Sequence, residues 1–283
     1  MTGLCAKPIR IQSLARASAI LDTLAEARGD WVALYEVSRR IGLGRTTVHN
    51  LIASLAVLGF VEQHATSRRY RLGLRNLQLG QLVYRRLDIA RAARPSLIRL
   101  ARQTNETASL AVPYGFEVLV IDSLEGNHGI RVAADTGKRM PFHASACGKS
   151  ILAHLPAAER QAIIAGRPLV AFTPHTIQDA DALEQELVRT RARGYATNVE
   201  EVAEGAVCVA APVFGPFGEA LGAISIDAPS SRLRTELIPE VASRLMEEAV
   251  NVTEALGSAG ADDDGIVDQV QGRRTAPRRA VKV

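Results

Sequence analysis

The residues from Leu34 to Gly59 constrain the chain most. Leu34 to Ile41 and Arg45 to Leu58 read as two short helices joined through Gly42-Leu43-Gly44. In the second, Val48, Leu51, Ile52, Leu55 and Leu58 fall at i, i+3, i+4, i+7 and i+10, which makes one apolar helical face. At ~100° per residue, Thr46, Asn50 and Ala53 project to the opposite side, with Thr47 and His49 on the flanks. A short helix that docks through one face and leaves a polar N-terminal end exposed suits the major groove of DNA. The same spacing also describes an ordinary helical hairpin, so the next residues matter. Phe60 to Gln63 reads as a strand, the polar run His64 to Arg69 as a hairpin tip, and Tyr70 to Leu72 as the return strand. Together they predict a β-wing carrying Arg68, Arg69 and Arg71.

Charge supports the DNA reading over the hairpin. Residues 1–92 hold fourteen Lys/Arg and six Asp/Glu, a net +8. Chain totals of 34 and 30 leave 20 against 24, or −4, for the remainder. A nearly neutral chain thus hides a basic N-terminal third, the footprint of a duplex-phosphate binder.

With these residues in hand, positions 18 to 80 resemble the winged helix-turn-helix of the IclR family of bacterial transcriptional regulators. The resemblance rests on Ala19-Ile20-Leu21, Glu36-Val37, Gly42-Leu43, Thr46-Thr47-Val48-His49, Leu51-Ile52, Leu55, Leu58-Gly59-Phe60-Val61 and Tyr70-Arg71-Leu72-Gly73, and it continues to about residue 256. It implies an α+β protein: an N-terminal winged helix, a helical linker and a C-terminal mixed α/β effector-binding domain with a GAF-like sheet. The polar end of the second helix and the basic wing give the expected DNA contacts: Arg45, Thr46, Thr47, His49, Asn50, Arg68, Arg69 and Arg71. Asn50 stands where the family usually has Arg, so that arginine's contacts are not carried over.

Length allows two domains, each with its own core. The expected division is a winged helix over 1–74, a linker helix over 75–94, an effector domain over 95–256 and a disordered tail over 257–283. Ahead of the winged helix-turn-helix pair, Leu14 to Arg28 is an amphipathic helix, and Trp31-Val32 a short strand or cap beside the wing. Leu74 to Arg94 reads as one long helix that Pro95 ends or restarts. A helical connection is stiffer than a Gly/Ser linker, so a change in one domain could move the other.

Beyond Pro95 the pattern predicts a helix over 96–103, strands over 108–112, 117–123 and 130–133, and helices over 145–155, 157–164 and 179–193, the last closed by Gly194. An antiparallel pair follows over 206–214 and 219–227, turned at Gly215-Pro216-Phe217-Gly218, and then a long helix over 233–256. After Gly257 the acidic run Asp262 to Asp264 and the basic Arg273, Arg274, Arg278 and Arg279 have few apolar neighbours, which predicts disorder. No apolar run approaches the ~20 residues of a membrane span, the N-terminus lacks a signal-peptide core, and three cysteines make no disulfide framework. A cytoplasmic protein without a membrane partner is expected.

Several residues invite a chemical reading. Gly148-Lys149-Ser150 ends like a phosphate loop, but the first glycine of that motif would fall at His143, and no apolar strand leads into it. Cys147 with His143 could be a nucleophile and base, or metal ligands with Cys208. No orienting partner or further ligand stands at suitable spacing, so neither catalysis nor a metal or cofactor is expected. Glu200, Glu201 and Glu204 read as a solvated acidic cluster.

The resemblance gives Pro141 to Ala153 a different use, because it matches the family's segment at the effector pocket. Gly205 to Val213 and Gly222 to Asp227 match its two central strands. By position, Ala146, Cys147, Asn198, Cys208, Ser225 and Asp227 are implied as pocket residues, and an open helix N-terminus at Ser145 to Gly148 would suit a carboxylate. The alternative is that these are core positions of a strand-helix layer. Asn198 stands where an Asp is often seen, and Asp227 where a small neutral residue is common.

The reading is a ligand-responsive transcriptional regulator, not an enzyme. It controls a catabolic operon in response to a small organic acid or aromatic, as a homodimer or homotetramer on double-stranded operator DNA. The rival is a small-molecule enzyme or sensor domain fused to a winged helix.

Overall fold

The computed structural model describes residues 10–27, 30–84 and 87–271. The chain divides into two compact units, 1–86 and 87–283.

In the first unit, α1 (Gln12–Glu26), α2 (Leu34–Ile41) and α3 (Arg45–Val57) precede a two-stranded antiparallel hairpin, β1 (Val61–Gln63) and β2 (Tyr70–Leu72), and then α4 (Leu74–Tyr84). Gly42 ends α2 in the left-handed region at φ +66, a conformation glycine adopts without Cβ strain, and its N–H bonds back to the Ser38 carbonyl. Ile20, Leu24, Val37, Val48, Ile52, Leu55, Val61 and Tyr70 form the core. Val32 exchanges both backbone bonds with Tyr70 at 2.8 Å, so the short Val32 segment does lie against the wing. Leu58 was expected on the buried face of α3 but is 61% exposed. It is the C-cap, where the helix ends, and the buried stripe stops at Leu55.

The long helix expected over 74–94 is two helices. α4 ends at Tyr84 and α5 (Asp88–Thr104) begins after Leu87 in extended geometry; Arg85 and Arg86 lie outside the described residues. Pro95 neither ends nor restarts a helix, because it sits inside α5. Ile89, Ala90, Ala93, Ser96, Leu97 and Leu100 are buried on both sides of it. That continuous packed face offsets the ~3 kcal/mol an interior proline costs.

The second unit is built on a six-stranded antiparallel sheet of order β5-β4-β3-β8-β7-β6: β3 (Thr107–Tyr114), β4 (Glu117–Leu124), β5 (Arg139–Pro141), β6 (Ala196–Val199), β7 (Ala206–Phe214) and β8 (Ala220–Pro229). α5 and α9 (Ile238–Gln271) pack together against the sheet. Arg99 of α5 holds Glu248 of α9 through two bonds of 2.7 and 2.6 Å. α6 (Ala146–Leu152) lies against β6, β7 and β8 and carries α8 (Ala180–Arg193) behind it, with α7 (Ala157–Gly166) between them in sequence. Strand alternation puts Ser109, Ala111, Cys208, Ala210, Ala223, Ser225 and Asp227 on the sheet face towards α6.

Two expectations fail here. Ile130 to Ala133 forms no strand. The free edge of β4 is taken by Arg139 to Pro141, with Glu117 opposite Pro141, and Val132 to Ala134 run irregularly over the sheet. The expected tail also begins as helix, since α9 continues past Gly257 to Gln271 with no proline before Pro277 to stop it. Residues 272–283 of that tail lie outside the described residues.

Candidate DNA interface and effector pocket

Arg45, Thr46, Thr47, His49 and Asn50 are all exposed, while Val48 between them is fully buried. The helix that anchors itself through Val48, Ile52 and Leu55 therefore offers one polar surface at its N-terminal half.

The three wing arginines are exposed but not equivalent. Arg71 donates to Glu62 through Nε and Nη2 at 3.0 and 2.9 Å, and its guanidinium lies 4.4 Å over the Trp31 ring. Arg69 donates to the Trp31 carbonyl at 3.0 Å. Arg68 sits at the tip with φ +55, in the left-handed region, and among the described residues its guanidinium has no hydrogen bond or ion pair. Only Arg68 of the three presents an uncommitted charge.

In the second unit, all six residues implied for the pocket line one cavity of about 90 Å³: Ala146 and Cys147 from α6, Asn198 from β6, Cys208 from β7, and Ser225 and Asp227 from β8. The sheet brings four of them together by register. Asn198 faces Cys208, and Cys208 faces Asp227. Further walls come from Ser109, Val118, Val120, Lys138, Met140 and the loop residues Val132 to Ala134, Val202 and Ala203, among others. Sequence reading missed these. Ser109 alone left a signal, as a hydroxyl inside an apolar strand.

The floor is a buried polar network. Ser225 Oγ donates to Asp227 Oδ2 at 2.8 Å, Ser109 Oγ reaches the same oxygen at 3.2 Å, and the two hydroxyls are 2.7 Å apart. Burial pushes the Asp227 carboxyl above the ordinary carboxylate range, while bonds from Cys208, Ser225 and Ser109 and the charge of Lys138 pull it back. Burial also pushes the Cys147 thiol up to about 12 and the Cys208 thiol well above its usual value, each helped by the Asp227 charge. These thiols stay protonated at neutral pH, the condition of packed groups rather than of nucleophiles. His143 bonds the Val170 carbonyl at 3.0 Å, and burial lowers its pKa.

Two local readings change. The helix N-terminus expected to be open for a carboxylate is partly capped: Ser145 Oγ accepts from the Gly148 N–H at 3.1 Å, while Ser145, Ala146 and Cys147 line the cavity. Gly148 is a packing glycine, since a Cβ there would lie 2.5 Å from the Phe142 carbonyl oxygen. Glu201 is not a solvated surface residue. It is 7% exposed and paired with Lys149, itself 1% exposed. The Lys149 charge that ends the phosphate-loop lookalike is thus spent inside the protein. Burial lowers the Lys149 pKa and raises that of Glu201, against their mutual attraction. The Glu201 backbone is fixed as well: its N–H donates to Asn198 Oδ1 at 2.7 Å and its carbonyl accepts from Thr176 Oγ1 at 2.6 Å.

A winged helix in the first unit and an α/β unit with a ligand-sized cavity define a DNA-binding regulator that carries its own sensor domain. The IclR helix-turn-helix domain model matches residues 13–65, and the bacterial transcriptional regulator IclR C-terminal model matches residues 81–254. The HTH-type transcriptional regulator XynR of Escherichia coli is 32% identical, with 87% of this chain and 98% of that protein covered. The transcriptional repressor IclR of the same organism is also 32% identical, over 88% and 91%. Among solved structures, an IclR homolog from Microbacterium hydrocarbonoxydans complexed with 4-hydroxybenzoate matches with a TM-score of 0.75 at 26% identity, covering 87% of this chain and 99% of that one. The chain belongs to the IclR family of bacterial transcriptional regulators. It is a regulator with an N-terminal helix-turn-helix for DNA and a C-terminal effector-binding domain. Among the described residues, no helix is long and apolar enough to cross a membrane.

Proposed function

We propose that this regulator acts in the cytoplasm as a homodimer that controls a catabolic operon, and that a small organic acid or aromatic bound in the 90 Å³ cavity switches it. The observation that carries the reading is the convergence of Ala146, Cys147, Asn198, Cys208, Ser225 and Asp227 on that single cavity. Its walls are mainly apolar, its few polar groups are grouped, and its volume is several times the roughly 10–15 Å³ that a single water needs, which leaves room for a small acid. The Microbacterium relative holds a hydroxylated aromatic acid, which fits the same class. DNA is held by α3 through Arg45, Thr46, Thr47, His49 and Asn50, and by the wing through Arg68, with Arg69 and Arg71 secondary. The two compact units, 1–86 and 87–283, support a division into a DNA-binding part and an effector part, with α4 as the connection.

Dimerisation follows from the binding problem, because one helix-turn-helix buries little surface and a two-part operator supplies the rest. Leu74, Leu77, Leu82 and Val83 of α4 are more than half exposed, which suits a helix that meets a second copy. The test is immunoprecipitation of the regulator with genomic DNA of its source, with and without candidate acids, read by sequencing. Discrete two-part sites whose occupancy changes with one acid are expected. Uniform, sequence-independent recovery of DNA would overturn the reading.

A further inference from the structure

The cavity floor holds an element that a plain carboxylate ligand would not want. Asp227 is 8% exposed and lines the cavity, and one of its oxygens already accepts from Ser225 at 2.8 Å and Ser109 at 3.2 Å. Its remaining side-chain partner is the Cys208 thiol, a weak donor. Lys138 is exposed yet lines the same cavity, and its charge acts on both Asp227 and Cys208. It is the one cation among the cavity's lining residues. The other titratable groups facing Asp227 there are the two thiols, Cys147 and Cys208. The cavity is therefore polarised: a positive group towards solvent, an acceptor at the floor, and apolar walls (Val118, Val120, Met140) between.

We infer that the effector is a bifunctional small acid, whose carboxylate meets Lys138 and whose far end carries a hydroxyl or ammonium that donates to Asp227. This rests on the assignment of the cavity as the effector site and narrows the ligand within it. An acid with no donor brings a second negative charge towards a buried carboxylate, which low-dielectric surroundings make costly. A donor at the far end gives Asp227 a charge-assisted bond, the stronger kind, and relieves part of its burial penalty. The polarity also sets the orientation, since the reversed ligand would put like charges together at the floor and leave Lys138 unpaired.

The experiment is calorimetric titration of the full-length protein with matched probes. Benzoate, 4-hydroxybenzoate and 4-methoxybenzoate form one series, and butanoate and 4-hydroxybutanoate the other. Benzoate is smaller and the methoxy compound one methyl larger than 4-hydroxybenzoate, and both lack the donor, so the pair brackets the hydroxylated acid in size. In at least one series the hydroxylated acid should bind tenfold or more tighter than its partners, on the order of one charge-assisted hydrogen bond. Asp227→Ala should erase that preference, while Lys138→Ala should weaken the acids with and without the hydroxyl alike. Thermal melting of each variant reports whether it is folded, and Lys138→Ala at the rim tests the orientation even if Asp227→Ala fails to fold. Equal binding of donor and donor-free acids, with both blocked by Cys147→Trp, would overturn this inference and leave the cavity assignment standing. If no probe binds, or if binding survives Cys147→Trp in a folded protein, the cavity assignment falls and this inference falls with it.

Discussion

Lys149 on α6 and Glu201 after β6 form an ion pair sealed inside the second unit, 52 positions apart in the chain. The pair clamps the segment that supplies Val202 and Ala203 to the cavity onto the helix that supplies Ala146 and Cys147. Breaking a buried pair from one side leaves an uncompensated charge and costs ~3–5 kcal/mol. Lys149→Met should therefore lower the unfolding free energy by about that amount, and the double variant Lys149→Met, Glu201→Leu should recover much of it. Chemical denaturation of the three proteins checks this. A double variant less stable than the single would contradict it.

Asn50 projects from α3 with its side chain exposed, next to buried Val48 and one turn before Ser54, which bonds its carbonyl. An amide there can pair bidentately with adenine. Asn50→Ala should weaken operator binding by ~1–3 kcal/mol and relax preference at one position per half-site, with melting unchanged. Fluorescence anisotropy on systematically mutated operator duplexes reads the effect; unchanged affinity and preference would refute the assignment.

The wing makes unequal predictions for its arginines. Arg68, uncommitted at the tip, should act on phosphate, so Arg68→Ala should flatten the slope of log K against log salt by ~1 and weaken all duplexes alike. Arg71 already holds Glu62 and covers Trp31. Arg71→Ala should lower the melting temperature more than it alters the salt slope. Salt titrations and melts of both variants distinguish the two roles.

Filling the cavity should separate sensing from DNA binding. Cys147 lines the cavity from α6, in a compact unit distinct from the winged helix. Cys147→Trp should abolish effector binding and leave duplex affinity within about twofold, giving a regulator locked in one state, because a ligand shifts an equilibrium only through its differential affinity. Titration of a folded variant with the wild-type effector is the measurement, and undiminished affinity would place the site elsewhere.

Asp227 should make stability depend on pH. Burial raises its pKa, so its contribution is fully present where the unfolded carboxyl is still protonated, and is lost as pH rises through the raised folded value. Asn is neutral throughout. The melting temperature of Asp227→Asn relative to wild type should therefore climb as pH rises from acid to neutral and beyond. A difference that stays flat, or one that falls, would show that the carboxylate is adequately compensated when ionised.

Local features of the sequence were legible where one short-range signal decided them. The period of Val48, Ile52 and Leu55 fixed a buried face and, by exclusion, the polar one; Gly42 and Gly194 marked helix ends because the left-handed caps there favour glycine. The pocket residues were reached through resemblance, not through pattern. Nothing periodic in Asn198 or Asp227 distinguishes a cavity wall from a core. What failed lay at the limits of such signals. Leu58 followed the apolar period onto the C-cap, where α3 ends. Pro95 broke a local rule that packing on both sides overrode. Arg139 to Pro141 is too short to show alternation, and it took the sheet edge that Ile130 to Ala133 was expected to fill.

By itself the sequence determined the winged helix, the basic first third and the antiparallel pairing of β7 with β8, because each depends on neighbours within a few residues or across one tight turn. Only the tertiary structure decided that Glu201 is buried against Lys149, that Arg71 is committed to Glu62, and that Ser109, Ser225 and Asp227 share one hydrogen-bonded floor. These depend on groups up to 118 positions apart. Whether a charge is solvated, paired or turned into a cavity is set by what the fold brings within a few ångströms of it, and no local pattern carries that distance.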